Sequence, residues 1–370
     1  MTSIKIKSWI LELPEYIPGR TIDEIKKKYK LDTVYKLASN ENIFGPSPKV
    51  AEALNNTLSE INYYPDSYNR DLREKLEEKT GISKEQFLFG NGTDQIIEMV
   101  CDAVLDGNKN IVIPDPTFLT YEKSALKNNA DIVKIPLKDF RQDYRNIVSA
   151  ANKNTGIIFL TSPHNPTGTI ITERELRFIL DNVDPEILVV LDEAYTEFVG
   201  NEDKFNSCKL IDSFGNFMVM RTFSKIYGLA GLRIGYAVAD KAVIKSIEKL
   251  AQPFVVNLLA QKAAIASLDD DEYINKNADV IIGEREKLFN FLSSNNIEYV
   301  KSYANFILIK TGKYTEALIE DLLRKGFIVR GGGFLGFPEY IRVTISVPEI
   351  NEKFINIFLD IYKKYMVNNI

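Results

Sequence analysis

Lys225 stands in the run Met218-Val-Met-Arg-Thr-Phe-Ser-Lys-Ile-Tyr-Gly-Leu-Ala-Gly-Leu-Arg-Ile-Gly-Tyr-Ala-Val238, where one amine is set among apolar neighbours. An amine so placed is a nucleophile for an aldehyde, with which it forms a Schiff base. Thr222 and Ser224 add hydroxyl donors for an anion, and Arg233, eight residues beyond the lysine, brings a rigid cationic fork back towards it. The other reading of Lys225 is an exposed charge in a loop between two strands. Residues elsewhere in the chain weigh against that reading.

Asp192 closes the strongly apolar run Val189-Val-Leu-Asp192, and a carboxylate there is costly to bury unless it is paired. A helix N-cap is the simpler role for it. Asn165, in Thr161-Ser-Pro-His-Asn-Pro-Thr-Gly-Thr169, lies in an Asn-Pro turn that projects its amide into the crevice at a strand end. Gly92-Thr93-Asp94 follows the strand-like Phe87-Leu-Phe89 and opens an amphipathic helix, so free N–H groups and the helix dipole converge on that turn. Many such turns hold no ligand. Phe118, after Pro114-Asp-Pro116, is either a core ring or a stacking surface.

These residues need elements to hold them. Strands are predicted at 87–89, 110–113, 131–135, 156–161, 187–191, 217–220 and 234–239, with helices at 48–59, 69–80, 117–128, 145–152 and 173–182, and one beginning at Thr93. Gly81 marks a helix end, and Thr172 with Glu175 forms a capping box. Strands alternating with helices predict an α/β fold: a mostly parallel sheet with helices on both faces and ligands at the strands' carboxyl ends. The residues singled out above fall at those ends. Helices at 241–251, 257–268 and 271–294 lead away, and strands near 297–300, 304–310, 327–330 and 341–346 with helices 314–325 and 349–366 predict a smaller α+β domain. The division read from the sequence is 1–43 as N-terminal arm and active-site loop, 44–260 as large domain and 261–370 as C-terminal domain. Within the arm, Trp9 and Tyr16 are anchors, and the glycine and prolines of Lys36 to Pro48 predict irregular backbone.

The chain has 370 residues, 45% of them hydrophobic, enough for a substantial core. Its formal charge of −5 comes from interleaved charges, which predicts no nucleic-acid or membrane face. Cys101 and Cys208 have no metal-ligand spacing and predict neither a disulfide framework nor a metal site, which points to the cytoplasm. His164 is the single histidine, so a multi-histidine metal site is excluded.

The lysine stretch, the Asn-Pro-Thr-Gly tetrapeptide and the glycine turn together resemble the fold-type I aminotransferases that use pyridoxal 5'-phosphate, and within them the histidinol-phosphate aminotransferases, over nearly the whole chain. The resemblance implies that Lys225 holds the cofactor and shuttles the proton, that Asp192 faces the pyridine nitrogen, and that Asn165 and Tyr195 contact the ring's 3-oxygen. It implies a phosphate site from Gly92, Thr93, Asp94, Thr222, Ser224 and Arg233, completed by Tyr64 of a second chain, and a ring stacked on Phe118. For the substrate it implies Tyr16, Asn40, Arg330 and Arg342, with Arg342 on an α-carboxylate and Arg330 on a distal phosphate or side-chain carboxylate. On their own, both arginines also read as surface charges. The implied activity interconverts histidinol phosphate and 2-oxoglutarate with imidazole acetol phosphate and glutamate, in a homodimer. Alternatives are an aromatic or other amino-acid aminotransferase, a phosphothreonine decarboxylase, and a non-catalytic ligand sensor.

Overall fold

The computed structural model describes residues 4–11, 13 and 19–366. Its strands are β1 (Tyr35–Leu37), β2 (Phe87–Gly90), β3 (Asn110–Asp115), β4 (Asp131–Pro136), β5 (Thr155–Thr161), β6 (Leu188–Asp192), β7 (Phe217–Thr222), β8 (Gly235–Ala239), β9 (Tyr299–Val300), β10 (Phe306–Lys310), β11 (Phe327–Gly331) and β12 (Tyr340–Thr344). Seven of them form one sheet in the order β2-β8-β7-β6-β5-β3-β4. The pairs from β4 through β7 are parallel, and β8 runs antiparallel to both β7 and β2. The carboxyl ends of β2, β5, β6 and β7 therefore share an edge with the start of β8.

Both faces of this sheet are covered, because alternate residues along each central strand feed different cores. Ile158, Leu160, Val189, Leu191, Phe217 and Val219 join one cluster. Ile157, Phe159, Leu188, Val190, Met218 and Met220 join the other.

The second sheet runs β1-β11-β12-β10-β9. Helices Thr315–Arg324 and Pro348–Met366 pack their Leu318, Leu322, Phe354 and Phe358 against it. Helix Asp271–Ser294 links the two bodies: its Phe289 and Leu292 enter the small core, while its Ile274, Ala278 and Ile281 cluster with Tyr195, Phe198 and Ile226 of the large one. The expected division after residue 260 falls inside helix Leu258–Leu268, whose Ala260, Ala263, Ala264 and Leu268 pack wholly in the large core.

Three local differences from the sequence reading have physical causes. The irregular segment expected from Lys36 begins instead as β1, which pairs in parallel with β11 and so places the arm's end in the small sheet. The helix expected at 117–128 starts only at Leu119, with Phe118 extended as its N-cap residue. That exempts the Phe118 ring from the helix face. The helix expected at 241–251 ends at Ile247 and tightens into a 3₁₀ turn over Glu248–Leu250. The N-terminal arm lies on helix Leu119–Lys127, where Trp9 Nε1 donates to the Lys127 carbonyl at 3.3 Å. Tyr16 lies outside the described residues.

The loop between β7 and β8 is clamped to the 39–48 segment. Asn42 Nδ2 donates to the Ile226 carbonyl at 2.6 Å, and Gly228 adopts φ +71 against the Gly45-Pro46 backbone. A Cβ on Gly228 would lie 2.6 Å from the carbonyl carbon of Gly45 and 2.8 Å from Pro46 N. Gly228→Ala is therefore expected to lower stability by about 1–3 kcal/mol in denaturant unfolding. A loss below about 0.5 kcal/mol would show that the two segments part easily.

Candidate active site

One pocket of about 330 Å³ opens at the shared edge of the large sheet. Thr93, Asp94, Phe118, Asn165, Asp192, Tyr195, Thr222, Ser224, Lys225 and Arg233 line it, together with Ser39, Glu41, Thr161, Ala194 and Ala230. Register brings them together: Thr161 is level with Asp192, Asp192 with Met220, and Thr222 with Gly235.

At one end of the pocket, Gly92 is the N-cap of helix Thr93–Val104 with φ +77 and no side-chain cap, so the first N–H groups of the helix are open. Arg233 lies directly against Gly92, leaving no room there for a Cβ. Its Nη2 is 3.2 Å from Asp94 Oδ2. Thr222, Ser224 and Arg233 thus face a helix N-terminus, an arrangement that suits a phosphate.

The floor carries Asp192, only 4% exposed. Its Oδ2 accepts from the Tyr121 hydroxyl at 2.7 Å and its Oδ1 from the Ala194 N–H at 3.0 Å. No cation forms an ion pair with it among the described residues. Burial pushes its carboxyl up to about 6, against the hydrogen bonds from Tyr121 and Ala194 that favour the anion.

Lys225 Nζ donates to the Ser39 carbonyl at 3.1 Å and lies 5.5 Å from the centre of the Tyr195 ring. Tyr195 Oη accepts from Asn40 Nδ2 at 3.2 Å, which leaves the phenolic hydrogen for the pocket. Asn40 itself is 1% exposed, with Oδ1 accepting from Thr344 Oγ1 at 3.1 Å, so it supports Tyr195 rather than lining the cavity.

Arg342 reaches the site from the small sheet. It donates through Nη1 to Asn165 Oδ1 and through Nη2 to the Ala38 carbonyl at 2.9 Å. With Oδ1 engaged, the amide N–H groups of Asn165 are left for the pocket. Burial pulls the Arg342 guanidinium down to about 10, and neighbouring Arg330 acts in the same direction. Arg330 sits directly across the β11–β12 pair from Arg342 and packs its guanidinium 5.1 Å from the centre of the Phe334 ring. Like charges opposed on one face of a sheet repel. Neither arginine has an ion-pair partner among the described residues, which leaves both guanidinium charges uncompensated by protein.

Tyr64 stands away from the pocket, 81% exposed, with its ring stacked on Phe254 at 4.5 Å. His164 is fully buried, and its Nδ1 lies 2.9 Å from Thr167 Oγ1. Burial holds the imidazole at about 3, hence neutral. One site contributor and one neighbouring ion pair escaped the sequence reading. Tyr121 sits in the first turn of helix Leu119–Lys127 with nothing in its neighbours to mark it, and Glu193 pairs with Arg221 at 2.8 Å. A charge following Asp192 and another preceding Thr222, on strands that turn out to be neighbours, was the available signal for the pair.

A family model described as "Aminotransferase class I and II" matches residues 32–358. The chain belongs to this family. It is 40% identical to the histidinol-phosphate aminotransferase of Geobacillus sp. (strain WCH70) over 98% of this chain and 99% of that one. It is 39% identical to that of Bacillus subtilis (strain 168) over 97% and 100%. Among solved structures, a histidinol-phosphate aminotransferase from Sinorhizobium meliloti in complex with pyridoxal-5'-phosphate superposes with a TM-score of 0.90, at 23% identity over 98% of this chain and 99% of that chain. An L-threonine-O-3-phosphate decarboxylase from Porphyromonas gingivalis superposes at 0.77, with 24% identity over 88% and 99%. The sheets of this aminotransferase are those of fold type I, as the resemblance of its motifs implies, and mostly parallel, as the alternation of its elements predicts.

The raised Asp192 carboxyl makes a stability prediction. Its folded value of about 6 exceeds the ordinary 3.8, so its neutral form favours folding. That contribution is complete below pH ~4 and is lost as pH rises through ~6. Asp192→Asn, which keeps a neutral group there, is expected to raise the stability of cofactor-free protein by roughly 3 kcal/mol above pH ~7 and to match wild type near pH ~4. Thermal unfolding at both pH values checks this, and a pH-independent difference contradicts it.

Proposed function

We propose that this aminotransferase uses pyridoxal 5'-phosphate to interconvert histidinol phosphate and 2-oxoglutarate with imidazole acetol phosphate and glutamate, a step of histidine biosynthesis. The observation that carries the reading is the Arg330–Arg342 pair, two opposed cations without a protein anion, of which Arg342 donates to Asn165 in the lining of the pocket that holds Lys225 and Asp192. Both amino donors are anionic there: one through its phosphate, the other through two carboxylates. Near-complete coverage by curated histidinol-phosphate aminotransferases supports the same substrate.

The residues present fit this cofactor. A buried carboxylate lacking a cation suits a protonated ring nitrogen, and the open helix end beside Arg233, Thr222 and Ser224 suits a phosphate. Pyridoxal phosphate, when bound, supplies an aldehyde that takes up the amino group and a ring that accepts electrons. Lys225 is the amine that holds it and that carries the proton between substrate and cofactor carbons. Asp192 keeps the ring nitrogen protonated. Asn165 and Tyr195 direct N–H and O–H groups at the ring oxygen, and Phe118 packs against the ring face. Arg342 grips the α-carboxylate of glutamate, and Arg330 takes the distal carboxylate or the phosphate.

The active unit on this reading is a cytosolic homodimer. Tyr64 is exposed beside Ile61, Tyr63, Pro253 and Phe254, an apolar surface from which its hydroxyl reaches a partner's phosphate site. The two cysteines are buried and free, which suits a reducing compartment. On this reading the large domain runs through Leu268, a division supported by the packing of Ala260, Ala263, Ala264 and Leu268 in its core.

Histidinol phosphate is expected to convert bound pyridoxal phosphate to pyridoxamine phosphate in a single turnover, and 2-oxoglutarate to reverse it. Faster conversion by phenylalanine, or release of carbon dioxide from phosphothreonine, would displace this substrate assignment. Lys225→Ala should slow the half-reaction by about 10²–10⁴-fold. Tyr64→Phe is expected to weaken cofactor affinity by about tenfold while sedimentation still reports a dimer. Unchanged affinity would remove Tyr64 from the site.

A further inference from the structure

Tyr121 is fully buried behind the pocket, held face-on by Phe159 at 4.6 Å and edge-on by Phe118 at 5.6 Å. Its hydroxyl sits between Thr161 Oγ1, at 3.1 Å, and Asp192 Oδ2, at 2.7 Å. We infer that Tyr121 is a positioning residue for Asp192, and that a one-way chain of hydrogens from Thr161 through Tyr121 keeps that carboxylate ionised and turned towards the ring nitrogen of the cofactor. The inference rests on the pyridoxal phosphate reading above.

Counting hydrogens fixes the direction. An ionised carboxylate only accepts, so the single hydrogen of Tyr121 goes to Asp192. Thr161 must then donate its own hydrogen to the Tyr121 oxygen. Thr161 is pinned in turn by Gln142, whose Oε1 accepts from the Thr161 N–H at 3.1 Å and whose Nε2 donates to the Thr161 carbonyl at 2.7 Å. Burial and the neighbouring Asp192 hold the phenol well above its ordinary range, so it remains a donor at any working pH.

The same ring touches Phe118, which lines the pocket. One rotamer-locked side chain therefore braces both the wall of the pocket and the acid on its floor. A hydrogen bond donated to a charged acceptor is stronger than a neutral one and stabilises the ionised state selectively. Without it, Asp192 would take up a proton at higher pH and lose its attraction for a protonated ring nitrogen.

The test is Tyr121→Phe, compared with wild type by absorbance titration of the apo protein with pyridoxal phosphate from about pH 5.5 to about pH 9. The acid limb of cofactor affinity is expected to move up by about one pH unit, leaving affinity about tenfold weaker near pH 6 and converging above pH ~8. The acid limb of kcat should move with it, while KM for histidinol phosphate stays within about twofold. Superimposable limbs, or a loss equal at every pH, overturn the inference. If Tyr121→Phe does not fold, Thr161→Val removes the first hydrogen of the chain. A shift in the same direction, restored by Thr161→Ser, then supports the inference, and an unmoved limb overturns it. Wild type that takes up no pyridoxal phosphate refutes the proposed function and this inference together, whereas wild type that binds it normally isolates the failure to Tyr121.

Discussion

Two buried charges without ionic partners govern the architecture of the site: the carboxylate of Asp192 and the guanidinium of Arg342, 4% and 6% exposed. Each is held by neutral groups, Asp192 by a phenol and an amide N–H, Arg342 by an amide oxygen and a main-chain carbonyl. Such a charge costs folding energy. A protein counter-ion would remove the cost and with it the attraction for a ligand. The neighbouring Glu193–Arg221 pair shows the other solution, a carboxylate and guanidinium 2.8 Å apart with Ser207 Oγ donating to the carboxylate at 2.6 Å. That pair is closed and faces no substrate. Self-satisfied charges thus stand one residue away from Asp192 and from Thr222, while Asp192 in the pocket lining and Arg342 beside it are left without a counter-ion.

Sheet topology decides where those charges appear. A strand running antiparallel among parallel neighbours begins where they end. Gly235 starts β8 level with Thr222 of β7 and with Gly90 of β2, so Arg233, just before it, lands beside Gly92. Had β8 been parallel, its first residues would lie at the opposite edge, a strand's length from the helix N-terminus. The left-handed backbone of Arg233, φ +55, completes the turn into that strand.

Much of this was legible in the sequence because it depends on local pattern. Apolar runs ending in Asp192, in the Asn165 turn and in the Lys225 segment marked strand ends, and strand ends in an alternating α/β chain share one edge. The long helix Asp271–Ser294 could be read from its period. What escaped depends on contacts between distant segments. The reversal of β8 leaves no mark on its composition, since it is as apolar as its parallel neighbours. β1 pairs with a strand almost the whole chain away, and three residues ahead of a proline- and glycine-rich loop carry little periodicity. Tyr121 looks like any core aromatic until β5 and β6 place Thr161 and Asp192 around its hydroxyl.

The small domain takes part in the chemistry through a few specific bonds. Arg342 holds Asn165, Thr344 holds Asn40, which in turn holds Tyr195, and Tyr303 N–H donates to the Gly168 carbonyl at 2.7 Å on the loop that carries Asn165. Asn165 and Tyr195, the two side chains proposed for the ring oxygen, are therefore set by contacts from the small domain. On the proposed reading, an anion that draws on the Arg342 guanidinium would alter the bond that orients the Asn165 amide, so that substrate binding and the electronic environment of the cofactor would share one hydrogen bond. Coupling of this kind is reciprocal: whatever the bound ring gains from a well-oriented amide, it returns as affinity for the anion. A carboxylate placed by the protein against Arg342 would have broken that exchange, which gives the neutral grip on the arginine a second physical reason.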